Sequence, residues 1–251
     1  NVGNFITVIG GTFNQNPLMN LGTQKDCEVN VPDTYHSYDN GNGTWTVKKV
    51  AAKIGETYYE TLADAIAAAK AGDTITLLDT AVIDSATIIE NVTITAAEGV
   101  DPAIRIVNNA FVAINNVTVG IADGYCFILG GSDFSSAGNL HIYSGTYHGD
   151  VSVVSVTKGE LVIRDGNFSV EPYQGSYEYL INCLDSSYRD GTATVSIRGG
   201  NFENWNPQDN AAEGAGSDFC ADGFEAVENE DGTFGVIVHE HDYTADTTDP
   251  T

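Results

Sequence analysis

Residues 161–168 read LVIRDGNF, and the same figure returns at 140–147 (LHIYSGTY), 195–202 (VSIRGGNF) and 6–13 (ITVIGGTF). Apolar residues hold the first and third positions; a small or acidic residue, a glycine, Thr or Asn, and an aromatic close the string. Such alternation makes a strand with one buried face, and the glycine marks a turn of positive φ before the aromatic re-enters an apolar surface. A looser form lies upstream, where NVTI at 91–94 returns as NVTV at 116–119 and DTITL at 73–77 reads as an earlier version. With the polar residue ahead of each strand as marker, Thr74, Asn91, Asn116, Asn139, Glu160 and Thr194 are spaced 17, 25, 23, 21 and 34 residues apart. Read as coil lengths, these spacings predict an all-β solenoid in which each coil stacks its apolar residues on the coil below.

A helix precedes the strands. Thr61 is a good N-cap with Asp64 three residues on, Leu62, Ala65, Ile66 and Ala69 fall on one stripe, and Gly72 ends the pattern. An apolar solenoid end exposes unpaired strands, and a short amphipathic α-helix is expected to cap it.

A longer repeat has an offset of 189 residues. It carries Gly10-Gly11-Thr12-Phe13 onto Gly199-Gly200-Asn201-Phe202, Asp33-Thr34-Tyr35 onto Asp222-Gly223-Phe224, and 42–47 (NGTWTV) onto 231–236 (DGTFGV). The shared block reads as a closing module: a last coil, a loop, and two strands joined at Asn-Gly or Asp-Gly, strong hairpin dipeptides. Residues 1–50 are therefore expected to be the C-terminal closing module of a preceding unit. Residues 51–238 form a complete unit, with 51–72 as the capping region, 73–202 as coils and 203–238 as the closing module with its β-hairpin. Residues 239–251 read as a linker to a following module, and the chain as an internal slice of an array.

Composition narrows the function. Ten Lys and Arg face 35 Asp and Glu, for a formal net charge of −25, which disfavours nucleic acid and anionic lipid as partners. No apolar run is long enough to predict membrane insertion. Cys27, Cys126, Cys183 and Cys220 are too scattered for a disulfide scaffold or zinc knuckle and read as free, mostly buried thiols.

The string GETYYETLADAIAAAKAGDTITLL at 55–78, the GGNF-type coil ends and the DGTFGV close resemble the tandem β-helix units of large cell-surface proteins of gut Firmicutes. The resemblance implies a right-handed parallel β-helix of pectate-lyase-like fold, in an extracellular protein of the bacterial surface or wall. Residues 239–251 (HEHDYTADTTDPT) are similar to the start of the linker repeats that follow such units. The implied function is adhesin or spacer, with a glycan or host surface protein as partner and no catalysis. A polysaccharide lyase or glycoside hydrolase, and a phage or surface fibre segment, are the alternatives; oligomeric state is left open.

No catalytic residue is assigned. Arg164, with Asp165, and Arg198 occupy equivalent coil positions, where any solvated side chain is expected. The sequons at Asn42, Asn91, Asn116 and Asn167 read as turn residues. His239, Glu240, His241 and Asp242 alternate but offer too few ligands for a metal. No cofactor is expected; Ca²⁺ is the single ion considered, through oxygens of 185–191 (DSSYRDG) or 228–231 (ENED). The best binding candidate is the coil between Phe168 and Thr194, about 13 residues longer than its predecessor and rich in tyrosine. Tyr173, Tyr177, Tyr188, Arg189 and Trp205 are its expected ligand contacts, with Tyr147 and His148 as additions.

Overall fold

The structure, a computed structural model, winds into about seven turns of a β-solenoid; it describes residues 4–19, 27–133, 135–210, 213–214 and 216–239. Three sheets of parallel strands form its sides. The long face carries Thr74–Leu77, Thr93–Ala96, Val117–Gly120, Gly145–Gly149, Asn167–Val170 and Asn201–Glu203. The second carries Ala81–Ile83, Ile104–Ile106, Phe127–Leu129, Val154–Val156 and Ile181–Cys183. The third carries Thr87–Glu90, Ala110–Asn115, Gly138–Ile142, Gly159–Ile163 and Ala193–Ile197. The chain visits the long, second and third faces in turn and then starts the next coil.

The recurring string is thus two strands, not one. At 140–147, 161–168 and 195–202 its first half lies on the third face, its glycine turns the corner, and its aromatic lies on the long face, whereas at 6–13 the two strands belong to separate small sheets. The spacings read from sequence mixed these faces, because Asn91 and Asn116 precede long-face strands whereas Asn139, Glu160 and Thr194 lie in third-face strands. Register gives the coil lengths directly: Thr74, Thr93, Thr118, Thr146, Asn167 and Asn201 are successive partners, 19, 25, 28, 21 and 34 residues apart. The turn glycines Gly145, Gly166 and Gly200 do hold positive φ, at 136°, 136° and 105°. Asn91 and Asn116 adopt left-handed φ of 57° and 52° at another corner, where Asn116 Nδ2 donates to Asn91 Oδ1 at 2.9 Å. Asn tolerates that conformation, and stacking lets one amide satisfy the next.

Period-two alternation sends every second side chain inward, and parallel register stacks like on like. On the third face Ile89, Ile114, Ile142, Ile163 and Ile197 form one fully buried column. On the long face the column runs Ile75, Ile94, Val119, Tyr147, Phe168 and Phe202. Its last three rings stack at centroid spacings of 5.1 and 4.9 Å with interplanar angles of 13° and 9°. Cys126 and Cys183 are buried, Cys220 half-buried, and all three are free; burial pushes the thiols of Cys183 and Cys220 up to about 12. The side chain of Cys27 lies outside the described residues.

The helix spans Leu62–Ala68, ending one turn before Gly72. Thr61 Oγ1 accepts from the Asp64 amide at 3.1 Å and donates to Asp64 Oδ2 at 2.7 Å. Leu62 and Ala65 join the core, and Ile66 and Ala69 pack against it. Thr61→Ala should lower stability by about 1 kcal/mol, with Thr61→Ser near wild type, in urea unfolding; equal losses for both would show that the hydroxyl cap contributes nothing.

The 189-residue repeat is reproduced in three dimensions. Residues Gly11–Phe13, Tyr35–Asp39 and Trp45–Lys49 form an antiparallel sheet, as do Asn201–Glu203, Phe224–Glu228 and Thr233–Val238. Thr12 pairs with Thr46 as Asn201 pairs with Gly235, and Tyr35 with Lys49 as Phe224 with Val238. The Val8 amide reaches the Asn30 carbonyl at 2.8 Å, and the Ile197 amide reaches that of Phe219 at 2.8 Å. Asn42 and Asp231 accept from Thr44 and Thr233 in the same two bonds, which assigns both acidic or amide side chains to the turn.

Candidate functional site: corner loops and the inter-module joint

The long coil splits its extra residues between two corners. One insertion, 171–180, joins the long face to the second; the other, 184–192, joins the second to the third and contains the helix Asp185–Asp190. Tyr173 and Tyr177 therefore sit at one corner and Tyr188 and Arg189 at the other, separated by the three-residue strand Ile181–Cys183, a rise of roughly 10 Å. The structure does not gather the expected residues into one wall.

Their environments differ. Tyr173 is 51% exposed at the tip of a tight turn, in which its carbonyl accepts from the Ser176 amide at 2.8 Å and Gln174 and Gly175 have φ of 50° and 84°. Its ring meets Tyr179 edge-on at 6.4 Å. Tyr177 packs against the core. Tyr188 lies edge-on to Phe219 at 5.5 Å and donates to the Asp218 carbonyl, and burial raises its pKa above the ordinary tyrosine value. Arg189 pairs with Asp185 one turn back at 3.3 Å, and both are exposed.

Trp205, expected beside these rings at the surface, is a core residue. It lies between Phe202 and Phe219 at 5.4 and 6.1 Å, and its Nε1 donates to the carbonyl of Glu178 in the tyrosine loop. It anchors the loop from beneath. Tyr147 belongs to the buried ring column, and His148 shares a 2.9 Å hydrogen bond with Ser169 on the next coil. Arg164 lies over the Tyr143 ring at 5.2 Å, the Arg198 amide donates to the Ile163 carbonyl at 2.8 Å one coil on, and both arginines are exposed. Among the described residues no group of three or more His, Cys, Asp or Glu is placed to hold a metal; Asp185–Asp190 is helical, and of the alternating His239–Asp242 segment only His239 lies among the described residues.

The sequence reading did not anticipate the joint between the antiparallel sheet of Gly11–Phe13, Tyr35–Asp39 and Trp45–Lys49 and the solenoid. The connection is two residues long: the Ala51 amide donates to the Tyr59 carbonyl, the Leu78 amide to the Ala51 carbonyl, and Val50 is fully buried. His36 stacks on Tyr58 at 3.9 Å and 13°, Tyr38 Oη donates to the Tyr58 carbonyl at 3.3 Å, Lys48 pairs with Glu60 and Lys49 with Asp79. A cleft of about 550 Å³ runs along this seam. Tyr58, which lines it, is stacked on one face by His36, while Lys53 Nζ stands 6.0 Å from the same ring's centroid, so the seam works as a joint more than as a platform. One signal was available: three of the ten cations fall between Lys48 and Lys53.

Burial lowers the His36 pKa below its ordinary 6.5. The closed joint thus favours the neutral ring and binds fewer protons than the opened one, so its stability is complete above the ordinary value and declines as pH falls through it. Acidification from about pH 7.5 to about pH 5 should lower the protection factors, the ratio of intrinsic to observed exchange rate, of the amides in Tyr35–Asp39 and Thr57–Tyr59. His36→Phe should abolish that fall in protection; an unchanged pH response would place its origin elsewhere.

Comparison of the sequence with protein-family models, with curated proteins and with solved structures yields no match, so the reading of function rests on the fold and the residues described above.

Proposed function

We propose that the chain is a stretch of a tandem array in a secreted or wall-associated bacterial surface protein, a non-catalytic spacer whose corner loops serve adhesion to glycan or host protein. Its coils are read as right-handed, the hand parallel crossovers adopt, in a pectate-lyase-like β-helix. The observation that carries the reading is the repeated closing module, matched bond for bond, whose first occurrence is sealed to the next solenoid through a two-residue connection. A joint without a free linker transmits orientation, and parallel coils extend the body by about 4.8 Å each. A net charge of −25 keeps such a rod soluble and repels anionic surfaces.

Small-angle scattering tests the spacer: one rigid elongated particle is expected, and independent motion of residues 1–50 against the solenoid would refute it. Adhesion is tested on a glycan array, where Tyr173→Ala should weaken any retained glycan by about tenfold, because this ring is the most exposed of the candidates. Tyr188→Ala should change it less, since its ring already packs on Phe219. Undiminished binding by Tyr173→Ala would remove this loop from adhesion.

A further inference from the structure

The second closing module rests on a coil, and the first does not. Ala193–Ile197 pairs with Gly159–Ile163 of the coil below and bridges at Ile197 to Cys220 on its other side, while Asn201–Glu203 lies between Asn167–Val170 and Thr233–Val238. The 189-residue offset brings Asn4–Thr7 and Gly11–Phe13 to the same places. Among the described residues, however, the first of these strands pairs only with Cys27–Asn30 and the second only with Trp45–Lys49, so one edge of each is open. The side chains agree. Phe202 is fully buried and stacks on Phe168 at 4.9 Å, and Val195 packs against the core, whereas the counterpart Phe13 is half-buried and the counterpart Ile6 is 53% exposed. Clearance agrees as well. A Cβ on Gly199 would lie 2.2 Å from the Arg164 carbonyl oxygen of the coil below, and one on Gly200 3.0 Å from that of Gly166; at Gly10 the nearest neighbour is the Val47 carbonyl at 4.0 Å, and at Gly11 the Phe13 ring at 3.4 Å.

We infer that the underside of the first module seats a coil of a preceding solenoid, parallel to Asn4–Thr7 and Gly11–Phe13, with an aliphatic side chain beneath Ile6 and an aromatic ring beneath Phe13. This rests on reading the chain as part of an array. The second module identifies the kind of occupant, because there the same edges are filled: Leu161 lies under Val195, Phe168 under Phe202, and backbone carbonyls occupy the clearance at the paired glycines. An open strand edge beside an exposed apolar side chain otherwise templates association, and such a coil covers both. The departures between the modules narrow the occupant further. Trp205 donates to the Glu178 carbonyl and Phe219 packs on the Tyr188 ring, which ties down both insertions of the long coil. At the same offset stand Asn16 and Asn30, too short and polar to replace two rings. The seated coil is therefore a regular one, like the 21-residue coil between Thr146 and Asn167, and the tyrosine loops belong to one unit and not to its predecessor.

The test places coils of this chain beneath the first module. In one tandem protein a copy of 51–160 runs directly into 6–251, so that Ile6 follows Glu160 as Leu161 does, with Leu140 under Ile6 and Tyr147 under Phe13. In a second, a copy of 51–194 runs into 6–251, so that Ile6 follows Thr194 as Val195 does and the long coil lies beneath. The amides of Ile9 and Thr12 are the reporters, because their counterparts on Arg198 and Asn201 donate to the Ile163 and Gly166 carbonyls of the coil below at 2.8 Å. Against the 251-residue chain their exchange should slow on the order of tenfold or more in the first tandem, and less in the second. Adding Asn16→Trp with Asn30→Phe to the second restores the two ring anchors and should bring its slowing up to that of the first. No slowing in any of the three overturns the inference, and equal slowing in the two unsubstituted tandems overturns the choice of a regular coil. Faster exchange at Ile9 and Thr12 on trimming 240–251 from the single chain would make that segment the occupant, and concentration-dependent slowing with a dimer in light scattering would make it a second copy; both overturn it. Scattering by the 251-residue chain, at its native joint, judges the array reading separately.

Discussion

Gly159→Ala is expected to be the most damaging single-methyl change in the molecule, costing about 3–5 kcal/mol, against a total stability for a domain of about 5–15 kcal/mol. The residue holds φ at 115° where the chain enters the third face, and a Cβ there would lie 1.9 Å from the carbonyl oxygen of Gly138 on the coil below. Gly138 has no room to yield, since its own Cβ site is 2.2 Å from the Ile106 carbonyl oxygen. Strain and collision therefore act together, and relief requires parting coils joined by the hydrogen bonds from the Gly138 amide to Lys158 and from the Gly159 amide to Thr192. Gly145→Ala should come close, with a Cβ 2.1 Å from the Val117 carbonyl oxygen. Gly166→Ala should cost less, because its nearest neighbours are the edge of Phe168 at 3.1 Å and the Gly145 carbonyl at 3.2 Å. Gly175→Ala serves as the control: φ is 84° but nothing lies within 4 Å, so only backbone strain of about 1 kcal/mol remains. Urea midpoints rank the four, and equal shifts for Gly159→Ala and Gly175→Ala would dismiss the stacking argument.

Phe168→Ala should destabilise by about 3–5 kcal/mol through lost burial, the cavity left behind and two broken ring stacks. Its ring lies between Tyr147 and Phe202, both almost parallel to it, and fixed strands above and below prevent collapse into the gap. Phe168→Leu should cost roughly 1–2 kcal/mol, since most of the volume remains. Near-ultraviolet circular dichroism should lose the signal of ordered aromatics in the alanine variant. A loss below about 1 kcal/mol would mean that the column rearranges freely and does not hold the coils in register.

Of the candidate site, the sequence made the tyrosine loop visible through composition and coil length, yet it could not separate exposed from buried rings. Tyr173 and Trp205 look alike in a string of letters. One ends up at the tip of a turn, the other between Phe202 and Phe219, because the coil end folds back over the solenoid and only three-dimensional closure brings 202, 205 and 219 together. The joint was missed for the same reason. His36 and Tyr58 lie 22 residues apart on different elements, and no local pattern marks two rings that will stack.

Local rules are sufficient for the alternating strands, the turn glycines, the Thr61 cap and the repeat at 189 residues, since each depends on neighbours a few residues away or on letters compared at one offset. They also establish that the fold is a solenoid, because repeated alternation with turns leaves apolar faces that only stacking can bury. Tertiary structure alone decides which face each strand joins. A strand ahead of the glycine corner and one behind it have the same period, so Asn91 and Asn139 read as equivalents until register assigns the first to a corner and the second to the third face. It also decides which glycines are indispensable: Gly159 stands outside the recurring string, and its need for a missing side chain comes from a carbonyl 21 residues earlier, placed 1.9 Å from where a Cβ would be by the stacking of one coil on another.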